Sequence, residues 1–166
     1  MNQDVFKRAG EKYQFEDFLA EVDQGQKAAV TKNHESVTES GYKCKVEKKA
    51  SGFALSYKHP KTKRSLCNML FRKDGLRIRI YAENHKQYAA FIENLPEDME
   101  AQVAKAVNCK RFLTPPECSD TCSAGYDISI RGNHYQKCRY SCFLFKANND
   151  SLPIITELIE LEKASR

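Results

Sequence analysis

The spacing of apolar residues changes from a helical period to a strand period close to residue 41. The first apolar positions fall at i, i+3, i+4 and i+7, as expected for a helix with one buried stripe. These positions are Phe15, Phe18, Leu19 and Val22. A second helical segment runs from about 26 to 40, and the glycine that follows it, Gly41, is a typical C-terminal cap. The pattern therefore predicts an N-terminal helical hairpin over 1–41.

The next segment, 42–82, alternates apolar and polar residues with a period of two. Cys44 and Val46 alternate with lysines, and three further segments of the same kind end at Tyr81. The connections between them are short, so neighbouring strands should pair antiparallel as a meander. One face of this sheet should be apolar and the other basic.

The remaining chain predicts a helix pair over 84–107, with Asn84 as an N-cap, and a last strand and terminal helix over 143–166. Between them lies a cysteine-bearing segment, 109–142, in which 125–133 indicates a short strand and a turn. We therefore expect a single α+β domain, 1–166, with an antiparallel sheet of about five strands and helices packed on one face.

The length of 166 residues suits one domain with a substantial core. The sequence has no apolar run of the ~20 residues needed to cross a bilayer, and its N-terminus lacks the pattern of a secretory signal. We therefore expect a soluble cytoplasmic protein that does not interact with membranes.

Five of the seven cysteines cluster between residues 109 and 142. Disulfides are uncommon in a reducing compartment, so a thiol cluster there indicates metal binding, redox chemistry or free thiols. The main hypothesis is a structural Zn²⁺ site formed by two C-x-x-x-C pairs. The ligands would be Cys118, Cys122, Cys138 and Cys142, with Cys109 or His134 as substitutes.

The spacing of the second pair restricts that hypothesis. In a regular strand Cys138 and Cys142 would lie about 13 Å apart, too far to share one ion. Coordination therefore requires a turn or bulge at 137–141. The alternative is that Cys138, Tyr140 and Cys142 form the inner face of a strand, because free cysteine packs as a small hydrophobe.

A thiol-redox or Fe–S protein is a further alternative. The basic neighbours Lys110, Arg111, Lys137 and Arg139 would favour thiolate. However, the sequence has no C-x-x-C motif and no ferredoxin-type spacing. Cys44 and Cys67 lie inside alternating strand patterns and should belong to the core.

Positive charge is concentrated in the predicted meander. Residues 43–79 carry twelve Lys and Arg against two acids, a net +10, whereas the rest of the chain carries −5 to give the total of +5. Such a field attracts nucleic acid or another polyanion. The candidate anion-binding residues are Lys58, Lys61, Lys63, Arg64, Arg77, Arg79 and Tyr81. The alternative is a solvated sheet surface whose charges prevent aggregation.

The chain has no G-x-S-x-G motif, no H-E-x-x-H motif and no glycine-rich phosphate loop. Its four histidines are scattered along the sequence. The sequence therefore favours a non-enzymatic module and leaves catalysis undecided.

Three segments together, 58–64, 71–82 and 133–143, resemble a family of small uncharacterised proteins from Gram-positive bacteria. The resemblance extends from about Gly41 to the C-terminus. It implies a bacterial cytosolic protein with an α+β fold and implies no catalytic activity.

Overall fold

The computed structural model of the chain describes residues 12–166. The strands are β1 (Lys43–Lys49), β2 (Gly52–Lys58), β3 (Ser65–Arg72), β4 (Gly75–Ile80), β5 (Tyr126–Ile130), β6 (Asn133–Lys137) and β7 (Leu144–Lys146). The helices are α1 (Phe15–Leu19), α2 (Lys27–Glu39), α3 (Ala89–Glu93), α4 (Glu97–Lys105) and α5 (Ser151–Ala164). The α+β class predicted from the sequence is confirmed.

The main sheet has five strands in the order β1-β2-β3-β4-β7, all antiparallel to their neighbours. One row of paired residues crosses the whole sheet on its apolar face: Val46, Leu55, Met69, Ile78 and Phe145. Helices α1 and α5 contact the sheet, α2 packs against both of them, and their buried residues join those of the strands in one core. The opposite face carries half-buried polar residues such as Ser56 and Asn68.

Strands β5 and β6 form a separate hairpin that packs with α3 and α4. Ile128 and Ile130 are buried members of the core. The sequence indicated one strand and a turn over 125–133, and the second strand of the hairpin was not predicted. Its residues are mostly polar and exposed, so they lack the apolar alternation that identifies a half-buried strand.

The last strand begins at Leu144, one residue after the predicted start at residue 143. The backbone N–H of Cys142 donates to the carbonyl of Cys138 at 2.9 Å, and that of Ser141 donates to the same oxygen at 3.1 Å. These bonds close one helical turn over 138–142. The interpretation of Cys138, Tyr140 and Cys142 as the inner face of a strand is therefore wrong.

Asn84 does not cap a helix as predicted. Its backbone N–H and its side-chain amide both donate to the buried carboxylate of Glu162, at 3.1 and 3.0 Å. The following residues, 85–88, form a 3-10 turn before α3, and Tyr88 donates from its hydroxyl to the same carboxylate. Asn84 is therefore held by the Glu162 carboxylate on α5 and does not cap the helical segment beside it.

Within residues 12–166, no helix combines the length and apolar character required to cross a membrane.

Candidate functional site

A cleft of about 740 Å³ opens on the polar face of the sheet. Its walls come from β1, the ends of β2 and β3, the connection between them (the 59–64 loop) and the turn at 139–140. Six cations line it: Lys43, Lys45, Lys58, Lys63, Arg64 and Arg139. We call this feature the basic cleft. Two carboxylates, Glu47 and Glu83, also line it, so six positive charges face two negative ones.

The cations of the basic cleft differ in how far they are already neutralised. Lys45 pairs with Glu47 at 3.0 Å, and Glu83 accepts from Arg64 and Arg139 at 3.3 and 3.2 Å. Within the part of the chain that the structure describes, Lys43, Lys58 and Lys63 have no ion-pair partner. Three lysines are thus free to meet an anion.

Local hydrogen bonds hold the 59–64 loop in one conformation. The ring Nδ1 of His59 accepts from the backbone N–H groups of Lys61 and Thr62 at 3.3 and 3.2 Å. The loop closes with bonds from His59 N–H to the Arg64 carbonyl and from Lys63 N–H to the His59 carbonyl, both 2.9 Å. Lys63 adopts a left-handed conformation, φ 60°, which L-residues rarely occupy. The fold maintains a strained residue at the rim of the basic cleft.

Two tyrosines and an arginine form the opposite wall. The Tyr81 and Tyr140 rings meet edge to face at 6.2 Å, and the guanidinium of Arg139 lies 5.6 and 5.8 Å from their centres. Tyr81 accepts from the Asn68 amide at 3.1 Å. Among residues 12–166, the Oδ1 of Asn68 and the Nε of Arg139 are buried polar atoms without a hydrogen-bond partner. Tyr140 is 55% exposed, so its ring can receive a flat ligand.

The structure brings together four of the seven residues predicted to bind an anion. Lys58, Lys63, Arg64 and Tyr81 line the basic cleft, and Lys61 lies on the 59–64 loop without lining it.

The other two predicted arginines serve structural contacts. Arg77 pairs with Asp74 at 2.7 Å and donates to the Leu144 carbonyl at 3.3 Å. The adjacent Arg79 donates from Nε to the Tyr140 carbonyl at 2.7 Å and so supports the turn that carries the aromatic wall.

Sequence reasoning missed four cleft residues, for two reasons. Lys43 and Lys45 were counted in the basic segment, but only the β1–β2 register shows that they lie opposite Lys58 and Ser56. Arg139 and Tyr140 lie far along the chain and reach the cleft through the turn at 138–142. The only local indication of this aromatic wall in the sequence was that an arginine and a tyrosine, Arg139 and Tyr140, are adjacent.

A second cavity, of about 630 Å³, lies on the other side of the 59–64 loop and also touches His59 and Arg64. Its further cations, Lys163 and Arg166, already bond to Glu160 and Glu162 at 3.0 Å. It therefore offers less uncompensated charge than the basic cleft.

The five thiols of the cysteine-bearing segment differ in burial: Cys109 and Cys142 are buried, Cys122 and Cys138 are half-buried, and Cys118 is exposed. The thiol of Cys122 donates to the Ser123 carbonyl at 3.4 Å. Burial raises the pKa of Cys122, and electrostatic interaction with the other cysteine thiols of the segment raises it further. Cys142 is 1% exposed and belongs to the apolar core, and burial raises the pKa of its thiol strongly. Within residues 12–166, no group of three or more Cys, His, Asp or Glu side chains is placed so that it could hold a metal ion.

His134, the other predicted substitute ligand, points elsewhere. Its Nε2 lies 2.5 Å from Asp127 Oδ1 on the exposed side of the β5–β6 hairpin. Gln136 donates to the other oxygen of that carboxylate at 2.9 Å, and these two contacts, from Gln136 and then His134, lower the pKa of Asp127. His134 is thus part of a surface pair.

Cys67 is fully buried in the sheet, and burial raises its pKa to about 12. Cys44 is half-buried on the same face, where burial also raises its pKa. Both positions agree with the expected core assignment.

No family model matches the chain, and neither a curated protein nor a solved structure is significantly similar to it. The resemblance to a Gram-positive bacterial family stays a prediction.

Proposed function

We propose that this protein is a non-enzymatic module that binds single-stranded nucleic acid in the basic cleft. The cleft volume of about 740 Å³ falls in the usual range of ligand sites, roughly 300 to 1,000 Å³. A bacterial cytosolic location is part of this proposal, and seven free cysteines fit a reducing compartment.

The observation that carries the proposal is a pair of like charges on adjacent strands. Lys43 and Lys58 are directly opposite each other in the β1–β2 register. Like charges in that position destabilise a sheet by a few tenths of a kcal/mol or more, and here no acid lies between them. Lys63 adds a third free cation at the rim. A phosphate chain crossing the strand ends would relieve this repulsion.

The aromatic wall favours single-stranded nucleic acid over other polyanions. Single strands combine a phosphate backbone with unpaired bases, and proteins bind them through basic grooves lined with aromatic rings. The exposed Tyr140 ring, with Arg139 beside it, provides a surface on which a base can stack. A sulfated polysaccharide would use the lysines and gain little from this ring.

The first test reverses one charge. Lys43→Glu creates a favourable cross-strand pair with Lys58, so thermal stability should stay equal or rise. Fluorescence anisotropy with a labelled oligothymidylate of roughly ten nucleotides should show about tenfold weaker binding at low salt. Lys105→Glu, an exposed lysine on α4 outside the cleft, changes the net charge equally and should weaken binding far less. Equal losses in both variants would contradict a localised site.

The second test separates base stacking from charge. Tyr140→Ala should weaken oligonucleotide binding by about 1–3 kcal/mol, the usual contribution of one stacked base. Binding of heparin, which has no bases, should be unchanged. If both ligands lose affinity equally, or neither does, the aromatic wall does not contact bases and the ligand class is wrong.

A further inference from the structure

The basic cleft continues into a second space on the polar face of the sheet. This space has a volume of about 290 Å³ and lies over β2 and β3. We call it the sheet groove. Three residues, Glu47, Ser56 and Asn68, line both the basic cleft and the sheet groove. The two spaces therefore form one depression that follows the direction of the strands.

The floor of the sheet groove consists of small or uncharged side chains. Ser56 pairs with Asn68 across β2 and β3, and the next row on the same face pairs Ala54 with Leu70. All four residues are half-buried. Because serine and alanine are small, an extended chain can lie along these strands without displacing a large side chain.

Unpaired positive charge lies at the far end of this floor. Arg72, the last residue of β3, is exposed and has no ion-pair partner within residues 12–166. Arg79 uses only its Nε, which donates to the Tyr140 carbonyl. The other two nitrogens of its guanidinium make no hydrogen bond or ion pair in the described part of the chain. Both arginines line the sheet groove.

Two acids on or next to this face already have cationic partners. Glu47 lies between Lys45 and Lys49, with nitrogen–oxygen distances of 3.0 and 3.5 Å. Asp74, in the turn after β3, pairs with Arg77 at 2.7 Å. Neither acid pairs with the two arginines of the sheet groove, so those arginines remain available to an anion.

The separation of the two ends sets the length of ligand that can bridge them. Lys58, which lines the basic cleft, pairs with Ser65 at the start of β3, and Arg72 ends the same strand. At ~3.3 Å per residue, the path from Ser65 to Arg72 is about 23 Å long. A stacked strand advances about 3.4 Å per nucleotide, so about seven nucleotides cover this path. That length lies within the range of about 4–16 nucleotides bound by one OB-fold domain.

We propose that a strand bound in the basic cleft continues along the sheet groove to Arg72, so the ligand is a single strand of about seven nucleotides or more. This inference rests on the proposed function and deepens it, because it excludes mononucleotides and dinucleotides as the preferred ligand. One base stacks on Tyr140 and the lysines of the cleft bind the phosphates beside it. Arg79 and Arg72 bind the phosphates that follow.

The first test varies the length of the ligand and needs no variant. Oligothymidylates of about three, five, seven and twelve nucleotides should compete with a labelled strand in fluorescence anisotropy at low salt. Affinity should rise at least about tenfold from three to seven nucleotides and much less from seven to twelve. A plateau already at three nucleotides would confine the ligand to the basic cleft and overturn the inference. No binding at any length would overturn the proposed function as well.

The second test removes the cation at the far end. Arg72→Glu alters an exposed and unpaired side chain, so the melting temperature should hardly change. Binding of the twelve-nucleotide strand should weaken about tenfold, whereas binding of the three-nucleotide strand should not change. Lys43→Glu, inside the basic cleft, should weaken the binding of both.

Lys105→Glu is the matched control for net charge and should weaken binding of the long strand far less than Arg72→Glu. Equal losses in these two variants would overturn the inference. It would also be overturned if Arg72→Glu bound both strands as the unaltered protein does while Lys43→Glu lost affinity. That last result would leave the proposed function in place and restrict it to the basic cleft.

Discussion

Replacing Gly125 with alanine should separate the start of β5 from the end of β6. A Cβ at this position would lie 2.0 Å from the Lys137 carbonyl oxygen and 2.9 Å from its carbon. Ordinary carbon–oxygen contacts are about 3.3 Å or longer, so the backbone must move by more than about 1 Å.

That movement is resisted on the other side. Lys137 pairs with Tyr126 in the hairpin, and its buried Nζ donates to Ala104 O, Ala106 O and Asn108 Oδ1 at 2.9, 3.0 and 2.8 Å. Overpacking against such a fixed backbone costs about 3 kcal/mol, the upper part of the usual range. For a chain of this size the loss corresponds to a Tm about 6–12 °C lower.

Thermal and urea unfolding of Gly125→Ala should be compared with those of Gly25→Ala. Nothing lies within 4 Å of a Cβ added at Gly25, so alanine there should leave the free energy of unfolding unchanged or raise it by about 0.4–1 kcal/mol. The close approach of Gly125 to Lys137 would be refuted if the two variants unfolded at the same temperature.

Two further predictions concern Lys63 and Glu100. Lys63→Gly should be neutral or stabilising by up to about 1 kcal/mol in urea unfolding, because glycine relieves the left-handed strain, yet it should weaken oligonucleotide binding. A loss of stability would show that the lysine is not strained. Hydrogen bonds from Asn133 and Tyr135 lower the pKa of Glu100. Its stabilisation is therefore complete above the unfolded value near 4.5 and is lost as pH falls through the lower folded pKa. Glu100→Gln should show a shallower acid limb of stability against pH, and an unchanged limb would contradict this assignment.

The parts of the fold that could be predicted are those determined by local pattern. Alternation and short turns identified β1 to β4, and Gly41 with φ 90° ends the second helix as expected. Among the residues that the sequence nominated for anion binding, Lys58, Lys63 and Arg64 line the basic cleft, and their role in binding stays a prediction.

The parts that could not be predicted depend on tertiary contacts. Asn84 donates hydrogen bonds to Glu162 on α5, far away in the sequence, instead of capping the helical segment that follows it. The aromatic wall forms because the turn at 138–142 reverses the chain, and Arg79 fixes that turn through the Tyr140 carbonyl. The β5–β6 hairpin pairs a strand that alternates buried and exposed residues with one that is mostly polar and exposed, so local pattern did not indicate its second strand.

The salt dependence of oligonucleotide binding tests the central claim most directly. Each phosphate neutralised on a single strand contributes about −0.7 to the slope of log K against log salt concentration. If between three and six cations of the basic cleft each neutralise one phosphate, the slope should lie between about −2 and −4. The Lys43→Glu variant should have a slope that is shallower by about 0.7 or more. No binding at low salt, or a slope that Lys43→Glu leaves unchanged, would contradict nucleic-acid binding in the basic cleft.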